Sequence, residues 1–373
     1  MTIAYFRVGV RSYMRRRQAD PPEQGSARGI LDSEPFPLWD GSEPIANYAK
    51  RVKLPPTQRL DLGNGVKMDL VLIPAGRFIM GTPEPKEPTE TLTAGQGILY
   101  LGIACVLWLL VLVLFRAFRK RERPRFSLRF LMVLTLFASV GLYGAMRWHK
   151  TELAWQEYKA AKVQYDAARP DEKPGHQVTL TQPFYMGKYD VTQEQYQQLI
   201  GSNPSNFKGK DNPVETVSWG DAQVFCKKLA EQTKQGVRLP TEAEWEYACR
   251  AGTTTIYHSG DTEADLGRIA WYYANSKNTT HPAGQKEPNA FGLYDMHGNV
   301  WQWCQDWYAD YYGKSLAENP QGPAQGAFRL LRGGSWMYDP MYCRSAKRFK
   351  FDPFRCYYFI GFRVALAPAF RTQ

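Results

Sequence analysis

Two apolar runs interrupt an otherwise mixed pattern of hydrophobic and polar positions. Residues Ile98 to Phe115 read ILYLGIACVLWLLVLVLF, and Phe130 to Met146 read FLMVLTLFASVGLYGAM, neither with a charge. A hydrocarbon core needs roughly 17–25 such residues in a helix. The pattern therefore predicts two transmembrane helices, over 98–118 and 130–147, joined by a basic loop at 119–129. A pair of buried core helices is the plainer alternative, and the basic flanks and nearby Trp148 speak against it. The stretch Trp148 to Arg169 has neither Gly nor Pro and predicts a helical stalk over 148–170. Residues 1–60 carry little periodicity and are expected to be a poorly ordered tail.

The loop between the runs sets the topology. Arg116, Arg119, Lys120, Arg121, Arg123, Arg125 and Arg129 face only one acid, Glu122. Short loops dense in Lys and Arg stay cytoplasmic, so the remainder of the chain is expected outside the cytoplasm, with the protein integral to the membrane. The opening residues MTIAYFRVGVRSYMRRRQ hold no apolar h-region, which counts against export of that end. Much of the formal net charge of +11 sits in this loop, so no nucleic-acid partner is expected.

Downstream, three capping boxes predict helices, because a hydroxyl and an acid or amide three residues later satisfy orphan backbone amides. Thr192 with Gln195, Ser218 with Asp221, and Thr241 with Glu244 are the pairs. After the second, Ala222, Phe225, Cys226 and Leu229 fall at helical spacing. Past Gly252 the helical signal fades into short strands, turns and aromatic clusters such as Trp301-Gln302-Trp303. With 11 Trp, 22 Tyr, 19 Phe, 31 Gly and 25 Pro, a loop-rich fold on large flat side chains is expected. The rings either fill that core or present a carbohydrate-binding face.

Several long motifs then acquire a common meaning. Arg238-Leu-Pro-Thr-Glu-Ala-Glu-Trp-Glu-Tyr-Ala-Cys-Arg250, Gly292-Leu-Tyr-Asp-Met-His-Gly-Asn-Val-Trp-Gln-Trp303, Arg332-Gly-Gly-Ser-Trp336 and Gly361-Phe-Arg363 closely resemble the formylglycine-generating enzyme (sulfatase-modifying factor) family. Leu72-Ile-Pro-Ala-Gly-Arg-Phe-Ile-Met-Gly81 resembles the opening of that domain. The resemblance implies an α+β, loop-rich, C-type-lectin-like fold. Its first hairpin would lie at 66–82 and its main part at 174–368, with the apolar hairpin inserted between them.

The resemblance also implies sites. A calcium ion would take the Asp295 and Gln302 side chains and the carbonyls of Gly298 and Val300, although neutral Gln302 replaces the family's Glu. A tight turn held only by hydrogen bonds is the alternative. A partial second match involves Asn275 and Ser276. Active members use copper(I) on two thiols shortly after the Gly-Gly-Ser motif, with Ser335 and Cys343 in the substrate groove of this chain. Counting from Ser335, the first thiol position is Tyr338 and the second is Cys343, unless Cys343 matches the stretch just beyond the pair. Either way one thiol is missing, and two thiolates are what suits copper(I). Copper is therefore not expected, and the resemblance implies a Cys343–Cys249 disulfide instead. The five His show no His-x-x-x-His-x-Glu spacing for iron. The expected role is a membrane-tethered recognition module for an extended polypeptide or glycan, with oxidation of a sulfatase Cys to formylglycine as the rival.

Overall fold

The computed structural model describes residues 36–88, isolated positions between 100 and 116, and residues 128–168, 170–310 and 317–368. Order begins earlier than the expected tail of 1–60 allows, while residues 1–35 lie outside the described residues. Ile45–Arg51 form helix α1, which buries Tyr48 and Ala49. The Tyr48 hydroxyl accepts the Ala75 amide at 3.0 Å, anchoring this segment to the domain.

Strands β1 (Thr57–Gly63) and β2 (Val66–Ile73) pair antiparallel. Asn64 and Gly65 join them at φ 51° and 82°, the left-handed pair that a tight hairpin turn requires. The expected first hairpin over 66–82 does not form. Pro74 breaks the pairing, and β3 (Gly76–Met80) leaves for another sheet. Its antiparallel partner is β4 (His176–Leu180), beyond the insertion.

Between those two strands runs α2, Leu128–Ala167, one continuous helix of 40 residues that contains both the second apolar run and the expected stalk. Among the described residues no helix is long and apolar enough to cross a membrane. The first expected span, 98–118, lies largely outside the described residues. In the second, side chains are described only from Ser139. The base of the insertion is closed: the Thr82 amide donates to the Glu172 carbonyl at 2.8 Å, and Gly175 donates back to Thr82 at 3.0 Å.

The remaining elements are β5 (Phe184–Gly187), α3 (Gln193–Ile200), α4 (Trp219–Thr233), β6 (Val237–Arg238), α5 (Glu242–Arg250), α6 (Glu263–Ile269), β7 (Trp301–Trp307), β8 (Ala317–Glu318), β9 (Arg329–Arg332), β10 (Phe349–Phe351), β11 (Ile360–Gly361) and β12 (Ala365–Leu366). All three expected capping boxes are formed, at Thr192, Ser218 and Thr241. A fourth, Thr262 with Asp265, starts α6. That helix escapes the hydrophobic pattern because it buries only Leu266 and Ile269. The strands form sheets ordered β1-β2-β5-β12-β6, β10-β9-β7-β11 and β3-β4-β8. Trp245, Trp301 and Trp303 are fully buried, so large rings fill the core, as expected of a loop-rich fold.

Candidate functional site

The turn before β7 is built on left-handed backbone at Asp295, Gly298 and Asn299. Only glycine fits at 298, since an added Cβ would lie 2.1 Å from the Trp271 carbonyl oxygen. Asn299 clasps the neighbouring loop, accepting the His281 amide at 3.1 Å and donating to its carbonyl at 3.0 Å.

The side chains expected to hold calcium are brought together, and protein groups already engage the Gln302 oxygen and one Asp295 oxygen. Gln302 Oε1 accepts from Trp245 Nε1 at 2.6 Å and from Arg363 Nε at 2.8 Å. Its amide nitrogen donates to the Asp295 carbonyl at 2.8 Å. Asp295 Oδ2 accepts the Gly284 amide at 2.8 Å, leaving Oδ1 buried without a partner. Arg363 also donates to the Gly187 and Tyr294 carbonyls, each at 2.8 Å, and lies 3.4 Å from Asp190. A buried guanidinium thus supplies the positive charge at this turn. Burial pushes the Asp295 carboxyl up to about 6, and pushes Asp190 well above the carboxylate range. Calcium requires six to eight oxygens, and of the two expected side chains only Asp295 Oδ1 stands unengaged in this arrangement.

Asn275 and Ser276 are equally committed. Asn275 accepts the Tyr272 amide at 2.8 Å and donates to the Ala270 carbonyl at 2.9 Å. Ser276 Oγ donates to the Trp336 carbonyl at 2.8 Å. Among the described residues no group of three or more His, Cys, Asp or Glu side chains could hold a metal ion.

Ser335 and Cys343 do meet. Gly334, at φ 77°, lets the chain fold back until an added Cβ would stand 2.6 Å from Cys343 Sγ. Both Ser335 and Cys343 are fully buried, and Ser335 Oγ has no hydrogen-bond partner. Burial pushes the Cys343 thiol up to about 12, so at neutral pH it is held as the thiol rather than the nucleophilic thiolate.

The disulfide implied by the resemblance is not formed, and all six cysteines are free. His297 stands between its two members. Its Nδ1 lies 2.6 Å from the Cys343 carbonyl, which can only accept. Its Nε2 is therefore an acceptor, 3.4 Å from Cys249 Sγ and 3.3 Å from the His258 amide. Burial holds the His297 pKa well below its usual value, keeping the ring neutral.

Tyr338, at the first thiol position, packs as an aromatic. Its ring lies 5.6 Å from Trp301, 5.1 Å from Tyr342 and 5.7 Å from Phe359, centroid to centroid. Alongside, Trp336 contacts Phe207 at 5.2 Å and Tyr358 at 5.8 Å. Tyr273, Met341, Tyr357 and Tyr358 remain exposed around this floor. Residue spacing alone could not reveal it, because Phe207, Tyr273, Trp336 and Tyr358 converge from four separate loops.

Comparison with known proteins decides the family. Residues 157–368 match the sulfatase-modifying factor enzyme 1-like domain. The chain belongs to that family. It is 33% identical over 212 residues to the chaperone protein LppX of Paenibacillus barcinonensis, covering 43% of this chain and 71% of that protein. It is 39% identical over 178 residues to the formylglycine-generating enzyme of Streptomyces coelicolor, covering 43% of this chain. The match spans 55% of that enzyme, little more than half its length. Among solved structures, Treponema denticola variable protein 1 superposes with a TM-score of 0.58 at 25% identity, covering 84% of this chain and all of that one. The sulfatase-modifying factor fold, mixed α+β with small curled sheets, is thus shared by relatives carrying different names, so the fold by itself does not fix the activity.

Proposed function

We propose that this chain is a membrane-anchored member of the sulfatase-modifying factor family that binds an extended polypeptide rather than oxidising one. The observation that carries this reading is the Tyr338 ring, packed against Trp301, Tyr342 and Phe359 where a thiol would be needed. Cys343 is fully buried, so a two-thiolate copper(I) centre has neither its first ligand nor an accessible second one. Exposed aromatic rings around Trp336 and Tyr358 suit peptide side chains, because Tyr and Trp offer broad contact area at low entropy cost.

The anchor rests on the two uncharged runs and on the apolar surface of α2. Val140, Leu142, Tyr143 and Met146 are 50–62% exposed, and Trp108 in the first run is 66% exposed. Apolar patches of this kind ordinarily meet a partner or a lipid. Gly144 faces the Tyr100 ring so closely that an added Cβ would lie 2.2 Å from it, the small-residue contact that helices in lipid favour. The basic loop then faces the cytoplasm, and the domain stands outside.

Two measurements test the proposal. Copper(I) titration of the reduced full chain, with Cys343→Ser as control, should show no stoichiometric site. Tight one-to-one binding lost in the control would establish the oxidase reading instead. Labelling exposed Cys356 on intact cells with a membrane-impermeant maleimide should succeed. Labelling only after lysis would overturn the topology.

A further inference from the structure

Arg329, the first residue of β9, is clamped between two indoles. Its guanidinium carbon lies 3.8 Å from the centre of the Trp219 ring and 3.5 Å from that of Trp307. Both walls of the clamp are fixed. Trp219, at the start of α4, donates its indole N–H to the Cys304 carbonyl at 2.9 Å. Trp307 pairs with Arg329 in the β7–β9 ladder. Gly326 comes so close that an added Cβ would stand 3.0 Å from the Trp307 Cβ.

Only one nitrogen of this guanidinium is used. Nη1 donates to the Gln305 carbonyl at 2.6 Å. Nε is buried without a partner, and Nη2 makes no hydrogen bond. These two nitrogens form a single edge, the fork that matches both oxygens of a carboxylate. Elsewhere in this chain the same edge is filled. Arg348 holds Glu242 through Nε at 2.7 Å and Nη2 at 3.0 Å, and Arg59 holds Asp69 at 2.5 and 3.2 Å. Among the described residues no carboxylate forms an ion pair with Arg329.

A buried N–H without an acceptor is costly, because its desolvation is uncompensated. Burial pulls the Arg329 pKa down to about 10 against the opposing field of Asp306, so the side chain is still a cation at neutral pH. Arg329 is half-buried, and the chain leading to it, residues 321–328, is exposed. The clamp is therefore reached from the surface.

From this geometry we infer that Arg329 binds a carboxylate monoanion carried on an apolar body. Nη2 meets the anion first, and a small shift of the covering groups brings Nε into the fork. The Trp219 and Trp307 indoles hold the guanidinium in place and border the apolar body, so little order has to be imposed on binding. A phosphate dianion suits the site less well, since a single guanidinium serves it and Asp306 opposes a second negative charge. This inference does not depend on what the Trp336–Tyr358 surface binds.

Phenylacetate and its neutral counterpart phenylacetamide are suitable probes, titrated calorimetrically into the full chain in nonionic detergent at neutral pH. Phenylacetate should bind saturably, one to one, and more tightly than phenylacetamide by about tenfold or more. Arg329→Gln should make the two probes equal. Arg329→Lys, which keeps the charge and loses the fork, should cut the preference severalfold. Equal affinity of the unmodified chain for the two probes would overturn the inference and leave the clamp a structural brace. So would absence of saturable phenylacetate binding, or a preference unchanged in either variant. Should Arg329→Gln fail to fold, the probe pair on the unmodified chain and the Arg329→Lys variant still decide.

Discussion

Glu172 and Lys347, both fully buried, pair at 3.2 Å and tie the end of the inserted segment to the chain just beyond Cys343. Arg344 reaches the same Glu172 oxygen at 2.9 Å from the other side of that segment. From α5, Glu246 accepts the Gly81 amide at 2.8 Å, and Arg250 donates to the Gly81 carbonyl at 3.0 Å. Helix α2 is therefore not a loosely tethered addition. Its return point is fastened by charge to the loop that carries Cys343.

Glu172→Ala should strand Lys347 as a buried charge, and losing one member of such a pair costs about 3–5 kcal/mol. Urea unfolding should show a loss of that order. Replacing both residues by Met should recover part of it, since the cost comes chiefly from the charge left behind. A single variant no less stable than the double would contradict this account.

Thiol reactivity should follow burial. Cys356 is exposed, whereas Cys226, Cys249, Cys304 and Cys343 are buried. Burial pushes the Cys226, Cys249 and Cys343 thiols up to about 12, far from the reactive thiolate. Brief iodoacetamide treatment of the native chain, read by peptide mass spectrometry, should modify Cys356 and spare those four. Rapid alkylation of Cys343 would mean that the loop opens in solution.

Stability should fall as the solution is made more alkaline across the weakly acidic range. Burial, with Glu242 adding repulsion, pushes the Asp306 carboxyl from 3.8 up to about 7. The folded chain then holds a proton that the unfolded chain has released, so stability is lost as pH rises from 3.8 to about 7. Asp306 alone accounts for at most about 4 kcal/mol at roughly 1.4 kcal/mol per pKa unit. Asp306→Asn should flatten that part of the slope in urea melts at pH 5 and pH 8. Asp295, raised to about 6, should leave a residual slope of the same sign.

The turn at Gly298 should depend on backbone geometry rather than on calcium. Gly298→Ala places a methyl 2.1 Å from the Trp271 oxygen at φ 76°, and strain of this kind costs on the order of 1–3 kcal/mol before the clash is counted. Millimolar calcium should leave the unfolding midpoint of the unmodified chain unchanged. A calcium-dependent rise would show that Gln302 releases Trp245 and Arg363 to coordinate the ion.

Local chemistry was legible in the sequence where the interaction is local. Thr192, Ser218 and Thr241 announce their helices because a capping box closes within four residues. The family, too, is written in contiguous motifs, from Arg238–Arg250 to Gly361–Arg363. Tertiary structure decided which of the motif's atoms remain available. Gln302 looks like a ligand in the sequence, yet Trp245 and Arg363, 57 and 61 residues away, take its oxygen. The pairing of β3 with β4 across the insertion and the packing of Tyr338 against Phe359 were equally hidden. Each depends on groups distant along the chain competing for one buried position, and that competition is settled only when the core closes and water is excluded.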